Sequence, residues 1–391
     1  MKYIIIFTCT FLTSTILYSQ NSIEKVIIDI QQNNTSLAAL RKKADAELIG
    51  NKTGLYLKNP EVEFNYLWGS PTEIGNRTDI SISQSFDFPS AYVYRNQISD
   101  SKNIQTELEF QKQSKLILTK AKLICNDLIY YNALKSELLK RISHSQSIAE
   151  AYKLKYQTGE VGILDNNKAQ VNLLNLKKEI ELVDIERNEL LSELKTFNGG
   201  IAVDFSDNTF QFQSVESDFE QWYLEAEKNN PVLQWLELEV LINQKSQKLN
   251  TALSLPKIEA GYMSEKIVGQ QFQGITVGLS LPFLENKNTV KYAKAKTLAV
   301  ESIKSDSKLQ FYNELKSLHD KAVSLQESLT EYRSNLDLYD NTPMLMKALE
   351  KGEISLTEFM YELSIYYESF HRLLELEREF NKTVVELNRY Q

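Results

Sequence analysis

The hydrophobic positions along most of this chain recur every three or four residues, which is the spacing of one face of a helix. The longest series steps by four and three without interruption through Phe311, Leu315, Leu318, Ala322, Leu325, Leu329, Tyr332, Leu336 and Tyr339. Similar series occupy 173–197 and 359–387, with Arg187 and Glu377 as exceptions. This rhythm is typical of a coiled-coil seam, so the pattern predicts long helices that need neighbours along their whole length.

Two shorter stretches alternate between apolar and polar residues, as the two faces of a strand do. The first predicts a hairpin over 60–89, with turn residues between its strands, and the second predicts a hairpin over 256–283 that turns at Gly269. The apolar sets are Val62, Phe64, Tyr66 and Trp68 with Ile80, Ile82 and Phe86, and Ile258, Ala260 and Tyr262 with Ile275, Val277, Leu279 and Leu281.

The predicted strands are about nine residues long, close to the ~9 to 11 that a tilted strand needs to cross a bilayer. Apolar faces would then meet lipid and polar faces a lumen, with Tyr66 and Trp68 suited to an interfacial girdle. Four strands cannot close a barrel, and open edges in hydrocarbon leave backbone groups unpaired. Membrane insertion therefore requires symmetric association, whose copy number the pattern does not fix. The alternative is a pair of surface hairpins on a helical protein.

The prolines and glycines mark the ends of the predicted helices. Runs without either residue predict one long helix over 90–156, on the order of 100 Å long, and a second over 284–342. Because proline is tolerated in the first turn of a helix, we expect Pro89 and Pro282 to set the two strand-to-helix transitions.

An internal repeat is indicated by four landmarks that recur in the same order 193 to 196 residues later. These landmarks pair Asn33 and Asn34 with Asn229 and Asn230, Pro60 with Pro256, Phe88 with Phe283, and Gly159 with Gly352. The first repeat, 21–217, would contain a helix, the hairpin 60–89, the long helix 90–156, a tip 157–162, a helix 163–197 and a mid-height belt segment 198–217. The second, 218–391, would contain a helix, the hairpin 256–283, the long helix 284–342, a tip region 343–355 and a helix 356–390.

Residues 1–20 form a short basic start followed by an apolar stretch, which predicts a cleaved signal peptide. Beyond it, Cys125 is the one remaining thiol, so no internal disulfide is expected. The net charge of −8 opposes nucleic-acid binding. Because the chain lacks His-Glu-x-x-His pairs, phosphate-binding Gly loops and nucleophile elbows, we expect no enzyme activity, no cofactor and no bound metal.

Particular motifs resemble those of the TolC family of outer membrane efflux proteins. They are Asn-Pro-Glu-Val at 59–62, Ser-Gln-Ser-Phe-Asp-Phe-Pro at 83–89, Leu-Pro-Phe at 281–283 and the paired Gly-Glu tips. The resemblance covers essentially all of the chain after the signal peptide. It implies a homotrimer with a twelve-stranded transmembrane β-barrel, four strands per protomer, and a long α-helical barrel. The compact length looks most similar to the heavy-metal branch typified by CzcC and CusC.

The resemblance also implies a closed periplasmic tip, where acidic residues ring the aperture. The matching positions are Gly159, Glu160, Asp165, Leu349, Gly352, Glu353, Ile354 and Glu358. Asp165 and Glu358 each follow a tip glycine by six residues, and clustered carboxylates can hold cations. The alternative is that Asp165 merely favours a helix N-terminus and that Glu358 is a solvated position. Leu349 and Ile354 stand where some members carry Tyr and Arg, so we expect apolar rather than polar closure.

The function that follows is a passive exit duct in the outer membrane of a Gram-negative bacterium, embedded in its lipid and extending into the periplasm. Its expected partners are a periplasmic adaptor (membrane fusion protein) and an inner-membrane pump, either of the resistance-nodulation-division type or an ABC exporter. Heavy-metal cations, drugs and secreted peptides all remain open as cargo. The alternatives are a periplasmic coiled-coil adaptor or scaffold without a pore, and a type I secretion exit duct.

Overall fold

The computed structural model describes residues 22–211, 213–282 and 286–390. The predicted signal peptide and the repeat landmark Phe283 lie outside these residues. The described chain is mainly helical, with one small antiparallel sheet. This confirms the expected fold class of a mainly α protein with a small β part. Among the described helices, none is both long enough and apolar enough to cross a membrane.

The elements follow one order in each half of the chain, apart from one extra helix in the second half. The first half contains α1 (Ser22–Asn33), α2 (Thr35–Gly50), β1 (Glu61–Leu67), β2 (Arg77–Phe86), α3 (Pro89–Gln157) and α4 (Ile163–Phe197). The second contains α5 (Phe219–Asn229), α6 (Pro231–Leu253), β3 (Lys257–Ile267), β4 (Gln270–Ser280), α7 (Thr289–Leu338), α8 (Thr342–Lys351) and α9 (Leu356–Leu387). The extra helix is α8.

The helix that opens each half is divided in two at an asparagine, Asn34 or Asn230. Asn230 caps α6, because its side-chain oxygen accepts hydrogen bonds from the backbone N–H groups of Val232 and Leu233 at 2.8 and 3.4 Å. Pro231 follows at the first helical position, where its missing N–H has no cost. Asn34 is 6% exposed and donates to the carbonyl oxygen of Phe197 at 2.7 Å. Asparagine side chains therefore fix both breaks.

The second long helix differs from its prediction at both ends. The sequence predicts a helix over 284–342, but α7 has 50 residues and begins only at Thr289. Its N-cap, Asn288, has the left-handed φ of 68°, and the Asn286 side chain donates to the carbonyl oxygen of Leu253 at 2.6 Å. Asparagine adopts the left-handed conformation more readily than most other residues. The expectation that Pro282 lies in the first helical turn is therefore wrong, whereas Pro89 is the first residue of α3.

The tip region 343–355 also differs, because most of it is the helix α8. Pro343 lies in the first turn of α8, after the end of α7 at Leu338. Proline has no backbone N–H to give to an α7 continuing through this point, yet it fits the first turn of a new helix. The apolar positions therefore continue past Leu338, although α7 ends there and α8 begins as a separate helix.

The predicted belt segment contains no helix or strand in the parts that the structure describes, 198–211 and 213–217. Its first part is held by side chains from the helices of its own unit. Asn132 donates to the carbonyl oxygen of Asp207 at 2.9 Å, and Arg187 donates to the Asn132 side-chain oxygen at 2.6 Å. Arg187 therefore interrupts the apolar series of α4 because its guanidinium holds the Asn132 side chain, which in turn binds the belt segment.

The four strands form one antiparallel sheet in the order β1-β2-β3-β4. Phe64 pairs with Ile80, Ile82 with Tyr262, and Tyr262 with Ile275. Residues directly opposite one another share a face of the sheet, so the apolar sets of both hairpins lie on one face. The β3–β4 turn consists of Val268 and Gly269, both with positive φ, as two-residue hairpin turns require.

The described residues divide into two compact units. The first contains 22–34, 120–211 and 341–378, and its core includes two apolar clusters formed by α3, α4, α8 and α9. The second contains 35–119, 213–340 and 379–390, and it includes the whole sheet. In the second unit an aromatic group joins α5 to α7, with the rings of Phe219 and Tyr312 centred 5.5 Å apart.

Candidate functional site

Two Gly-Glu turns in the first unit end their helices with the same geometry. Gly159 and Gly352 have φ of 81° and 75°, the left-handed conformation that favours glycine. The following residues, Glu160 and Glu353, donate their backbone N–H groups to the carbonyl oxygen five residues earlier, at 2.8 and 2.9 Å. This pattern satisfies the last carbonyl groups of α3 and α8. The two predicted tip motifs are therefore structurally equivalent turns.

An apolar cluster packs beside both turns. Its buried members are Ala149, Ala169, Leu349, Leu356, Phe359 and Leu363, and Ile354 is among the half-buried residues packed against it. Phe359 is only 1% exposed. Leu349 and Ile354 thus contribute to packing within one chain. Their role in closing an aperture remains a prediction.

The two predicted carboxylates lie in the first turns of α4 and α9. Asp165 pairs with Lys168 at 3.4 Å, and the Lys168 ammonium donates to the Thr357 hydroxyl at 2.9 Å, which links the starts of the two helices. Glu358 follows Thr357, and its N–H donates to the Ser355 hydroxyl at 3.2 Å. Burial raises the pKa of Tyr152, and the negative charge of Asp165 raises it further. Both carboxylates also lie where the helix dipole favours negative charge.

The glutamates of the turns are exposed and make local contacts. Glu160 accepts a hydrogen bond from the Thr158 hydroxyl at 2.8 Å. Glu353 lies 3.7 Å from the Lys351 ammonium. Such exposed pairs contribute little to stability. These side chains are therefore accessible to a partner without a large loss of intrachain contacts.

Arg141 carries a buried charge that the hydrophobic periodicity did not predict. It is 7% exposed, its guanidinium lies 3.8 Å from the centre of the Tyr367 ring, and its Nε is 3.4 Å from the Glu137 carboxylate. This contact joins α3 to α9 between the two apolar clusters of the first unit. The signal was present, because Arg141 follows the apolar seam residue Leu138 by three positions. A charge at such a position indicates a polar layer in a bundle.

One face of the sheet is apolar and exposed. The exposure of its large side chains ranges from 43 to 84% for Val62, Phe64, Ile80, Ile82, Ile258, Tyr262, Ile275, Val277 and Leu279. A contiguous apolar surface of this kind marks contact with a partner or with lipid.

The opposite face of the sheet carries charge. Glu61, Glu63, Asp79, Glu259 and Glu265 lie on it together with Arg77 and Lys257. The Arg77 guanidinium bridges Asp79 at 2.8 Å and Glu265 at 3.2 Å. Because the carboxylates outnumber the cations, this face is net acidic.

Tyr66 and Trp68 lie where β1 runs into its loop. Their rings form an edge-to-face pair with centres 5.8 Å apart, and Asn76 donates to the Tyr66 hydroxyl at 2.7 Å. Trp68 is 80% exposed. An apolar ring with a polar atom suits a membrane interface.

Metal-ligating clusters and reactive thiols are two features that can support catalysis. In 22–211, 213–282 and 286–390, no group of three or more His, Cys, Asp and Glu side chains is arranged to hold a metal ion. Burial raises the pKa of the Cys125 thiol to about 12, and the charge of Asp207 acts in the same direction. A thiol is a poor nucleophile at such a pKa.

The comparison with solved structures places this architecture beside outer membrane channels. Campylobacter jejuni CmeC, an outer membrane channel, is 14% identical with a TM-score of 0.74, over 95% of this chain and 85% of CmeC. CusC, from a study of transmembrane channel formation, is 13% identical with the same TM-score, over 94% of this chain and 91% of CusC. The open state of the Neisseria gonorrhoeae MtrE outer membrane channel is 11% identical with a TM-score of 0.71, over 94% and 88%.

Neither a protein-family profile nor a curated protein sequence matches this chain. The equal TM-scores of CmeC and CusC do not distinguish between branches of channel proteins. The structural likeness nevertheless extends over nearly the whole chain and over most of each neighbour. The chain therefore has the fold of the outer membrane channels CmeC, CusC and MtrE.

Proposed function

We propose that this chain is a TolC-family outer membrane channel, the passive exit duct of a tripartite efflux system. The observation that carries the proposal is the sheet, which has an exposed apolar face and an acidic face within a fold like that of known outer membrane channels. In this proposal residues 1–20 are a signal peptide, and 21–217 and 218–391 are duplicated halves. Tyr66 and Trp68 form part of the membrane girdle.

The proposed assembly is a homotrimer in outer membrane lipid. Strands β1 and β4 are the edges of the sheet, and unpaired edges are unstable in hydrocarbon. Pairing β1 of one protomer with β4 of the next removes every edge and gives twelve strands from three chains. The apolar faces then meet lipid and the acidic faces line the lumen.

The proposed periplasmic aperture is formed by the two Gly-Glu turns. Glu160 and Glu353 are exposed there and would meet a periplasmic adaptor, while a resistance-nodulation-division pump or an ABC exporter supplies energy and selects the cargo. Asp165 and Glu358 supply negative charge at the aperture. Cations are the cargo that an acidic lumen favours, which supports the heavy-metal branch over neutral drugs.

The experiment that tests the function is ion conductance of the purified protein in a planar lipid bilayer. The proposal predicts discrete conductance steps with a preference for cations. We expect Asp165→Asn combined with Glu358→Gln to reduce the cation preference severalfold, because the charge at the narrowest point is lost. The control is Glu181→Gln, about 24 Å along α4 from Asp165, which should change the preference little.

The outcomes separate the two parts of the proposal. An absence of conductance for the wild-type protein would contradict the duct and favour the runner-up, a periplasmic coiled-coil adaptor or scaffold. Normal conductance with an unchanged cation preference in the double variant would remove Asp165 and Glu358 from the aperture. A type I secretion duct conducts ions in the same way, so it is distinguished by its cargo, which is a secreted peptide rather than a metal cation or a drug.

A further inference from the structure

The apolar face of the sheet becomes polar at one end of its strands. At the end next to the helices, Phe86 pairs with Ile258 and Ile258 with Leu279. At the end next to the hairpin turns, the last row of paired residues on this face is polar. We call this row the turn-end row, and it consists of Tyr66, Thr78, Lys266 and Gln271. The two rows are about 26 Å apart along the strands, because eight residues separate them.

Lys266 is the one charged side chain on this face within the four described strands. It is exposed, and no carboxylate among the described residues forms an ion pair with it. A lysine that faces lipid costs about 2 to 4 kcal/mol at the bilayer midplane but only about 0 to 1 kcal/mol near the interface. The place of Lys266 in the last row therefore suits the level of the lipid headgroups.

The hydrogen bonds beside Lys266 leave donor groups available. The Tyr66 hydroxyl accepts a hydrogen bond from the Asn76 amide at 2.7 Å, so its own O–H can donate to another group. In the adjacent row, the Ser264 hydroxyl accepts from the Gln271 amide at 3.1 Å and keeps its own O–H in the same way. The ammonium of Lys266 is therefore surrounded by hydroxyl donors rather than by carboxylates.

The polar amides at the two ends of this face differ in their partners. Near the turn-end row, the side-chain oxygen of Gln273 accepts from the Tyr262 hydroxyl at 2.8 Å, which leaves the amide N–H groups of Gln273 as donors. At the helix end, Gln84 instead donates its amide N–H groups to the backbone carbonyl oxygens of Lys58 and Ser85, at 2.8 and 3.1 Å. An ammonium among free donors, as at the turn end, is suited to a phosphate group.

We propose that the turn-end row binds the phosphate of an outer-leaflet glycolipid, with the Lys266 ammonium as the cation. The site depends on the proposed function, which puts the helices in the periplasm. Because β2 leads into α3 and β3 follows α6, the hairpin turns lie at the end of the sheet away from the helices. They are then at the extracellular leaflet, which in a Gram-negative outer membrane is built from phosphorylated glycolipids. Each protomer would hold one lipid phosphate.

The test is lipid titration of the full chain, purified in detergent and freed of bound lipid, with native mass spectrometry as the readout. The probes are diphosphorylated lipid A, the same lipid A without its phosphates, and phosphatidylglycerol. We expect one saturable lipid A per chain, bound at least about fivefold more tightly than the dephosphorylated form, because of the charge of one lysine near the headgroup. Lys266→Gln should remove this difference, and Lys266→Arg should retain it.

The control is Lys257→Gln, because Lys257 lies on the same strand as Lys266 but on the opposite face of the sheet. This variant should bind lipid A as the wild-type protein does. Tyr66→Phe keeps the aromatic ring and removes one donor, so it should weaken the binding of lipid A about two- to tenfold.

The proposal is overturned if the wild-type protein binds both forms of lipid A equally, or if Lys266→Gln binds lipid A as tightly as the wild-type protein. It is also overturned if phosphatidylglycerol binds as tightly as lipid A with the same dependence on Lys266, because the row would then bind phospholipid. Any of these results leaves the duct standing when the same preparation conducts ions in a planar bilayer. A preparation without conductance contradicts the duct, whatever the lipid titration shows.

Discussion

Glu239 on α6 is a mostly buried carboxylate in the second unit, and its side chain is 17% exposed. Burial raises its pKa, but hydrogen bonds from Gln105, Asn243 and Lys296 outweigh burial, and the net pKa is lowered from its usual value of 4.5. A lowered pKa means that the folded protein favours the charged form. The resulting stability is present above about pH 4.5 and is lost as the pH falls through the folded-state pKa.

We predict that Glu239→Gln lowers the free energy of unfolding by about 1 kcal/mol at pH 7 and by less at pH 4. The measurement is chemical denaturation at both pH values. Glu237→Gln is the matched control, because Glu237 lies on the same helix but its side chain is 72% exposed. An equal loss at both pH values would show that Glu239 contributes packing rather than charge.

The contact between Arg141 and Tyr367 lies between two apolar clusters of the first unit. We predict that two substitutions at Arg141 will differ in their effect on stability. Arg141→Met keeps the stem that packs on Tyr367 and removes a buried charge, so stability should change by less than about 1 kcal/mol or increase. Arg141→Ala also removes the packing and should cost about 2 to 3 kcal/mol. Chemical denaturation distinguishes them. Equal losses would mean that the charge itself stabilises the fold.

At the scale of elements, the sheet offers neighbouring positions on opposite faces. Val277 is 74% exposed on the apolar face, and Thr276 is beside it on the acidic face. An Arg facing lipid near the bilayer midplane costs about 2 to 4 kcal/mol. We predict that Val277→Arg strongly reduces assembly in the outer membrane, whereas Thr276→Arg assembles and lowers the cation preference.

The readout is membrane fractionation followed by semi-native gel electrophoresis. Equal assembly of the two variants would mean that the apolar face does not contact lipid, and surface hairpins would then explain the sheet. A loss of assembly in both variants would instead indicate that the strand tolerates no large residue.

Periodicity predicted the elements of this chain better than their ends. The alternation at 61–68 and 78–86 matches β1 and β2 to within a residue, because a period of two leaves no other register for the apolar face. The boundary of α7 could not be predicted, since the Asn286 side chain acts through a hydrogen bond to the distant carbonyl oxygen of Leu253, and Asn288 adopts a left-handed conformation. Likewise, the sequence does not explain why a charged residue, Arg187, interrupts an apolar series, because its hydrogen-bond partner Asn132 lies on another helix.

The candidate site was predictable to a similar degree. Gly159 and Gly352 follow from turn chemistry, and their left-handed conformations agree with it. The link from Lys168 to Thr357 joins residues 189 positions apart in sequence, so no local pattern contains it.

In the whole molecule, the described sheet has an exposed apolar face and two edge strands, β1 and β4, and the proposed duct requires both features to be covered. In the proposed duct, lipid covers this face and neighbouring chains pair the edges. The proposed lumen, aperture and conductance all require several chains around one axis.

The most direct test is the native mass of the protein extracted from outer membranes, measured by light scattering with the detergent contribution subtracted. For a trimeric duct we expect that extraction requires detergent and that the mass is three times that of one chain. A water-soluble monomer that is stable without detergent would contradict the trimeric duct.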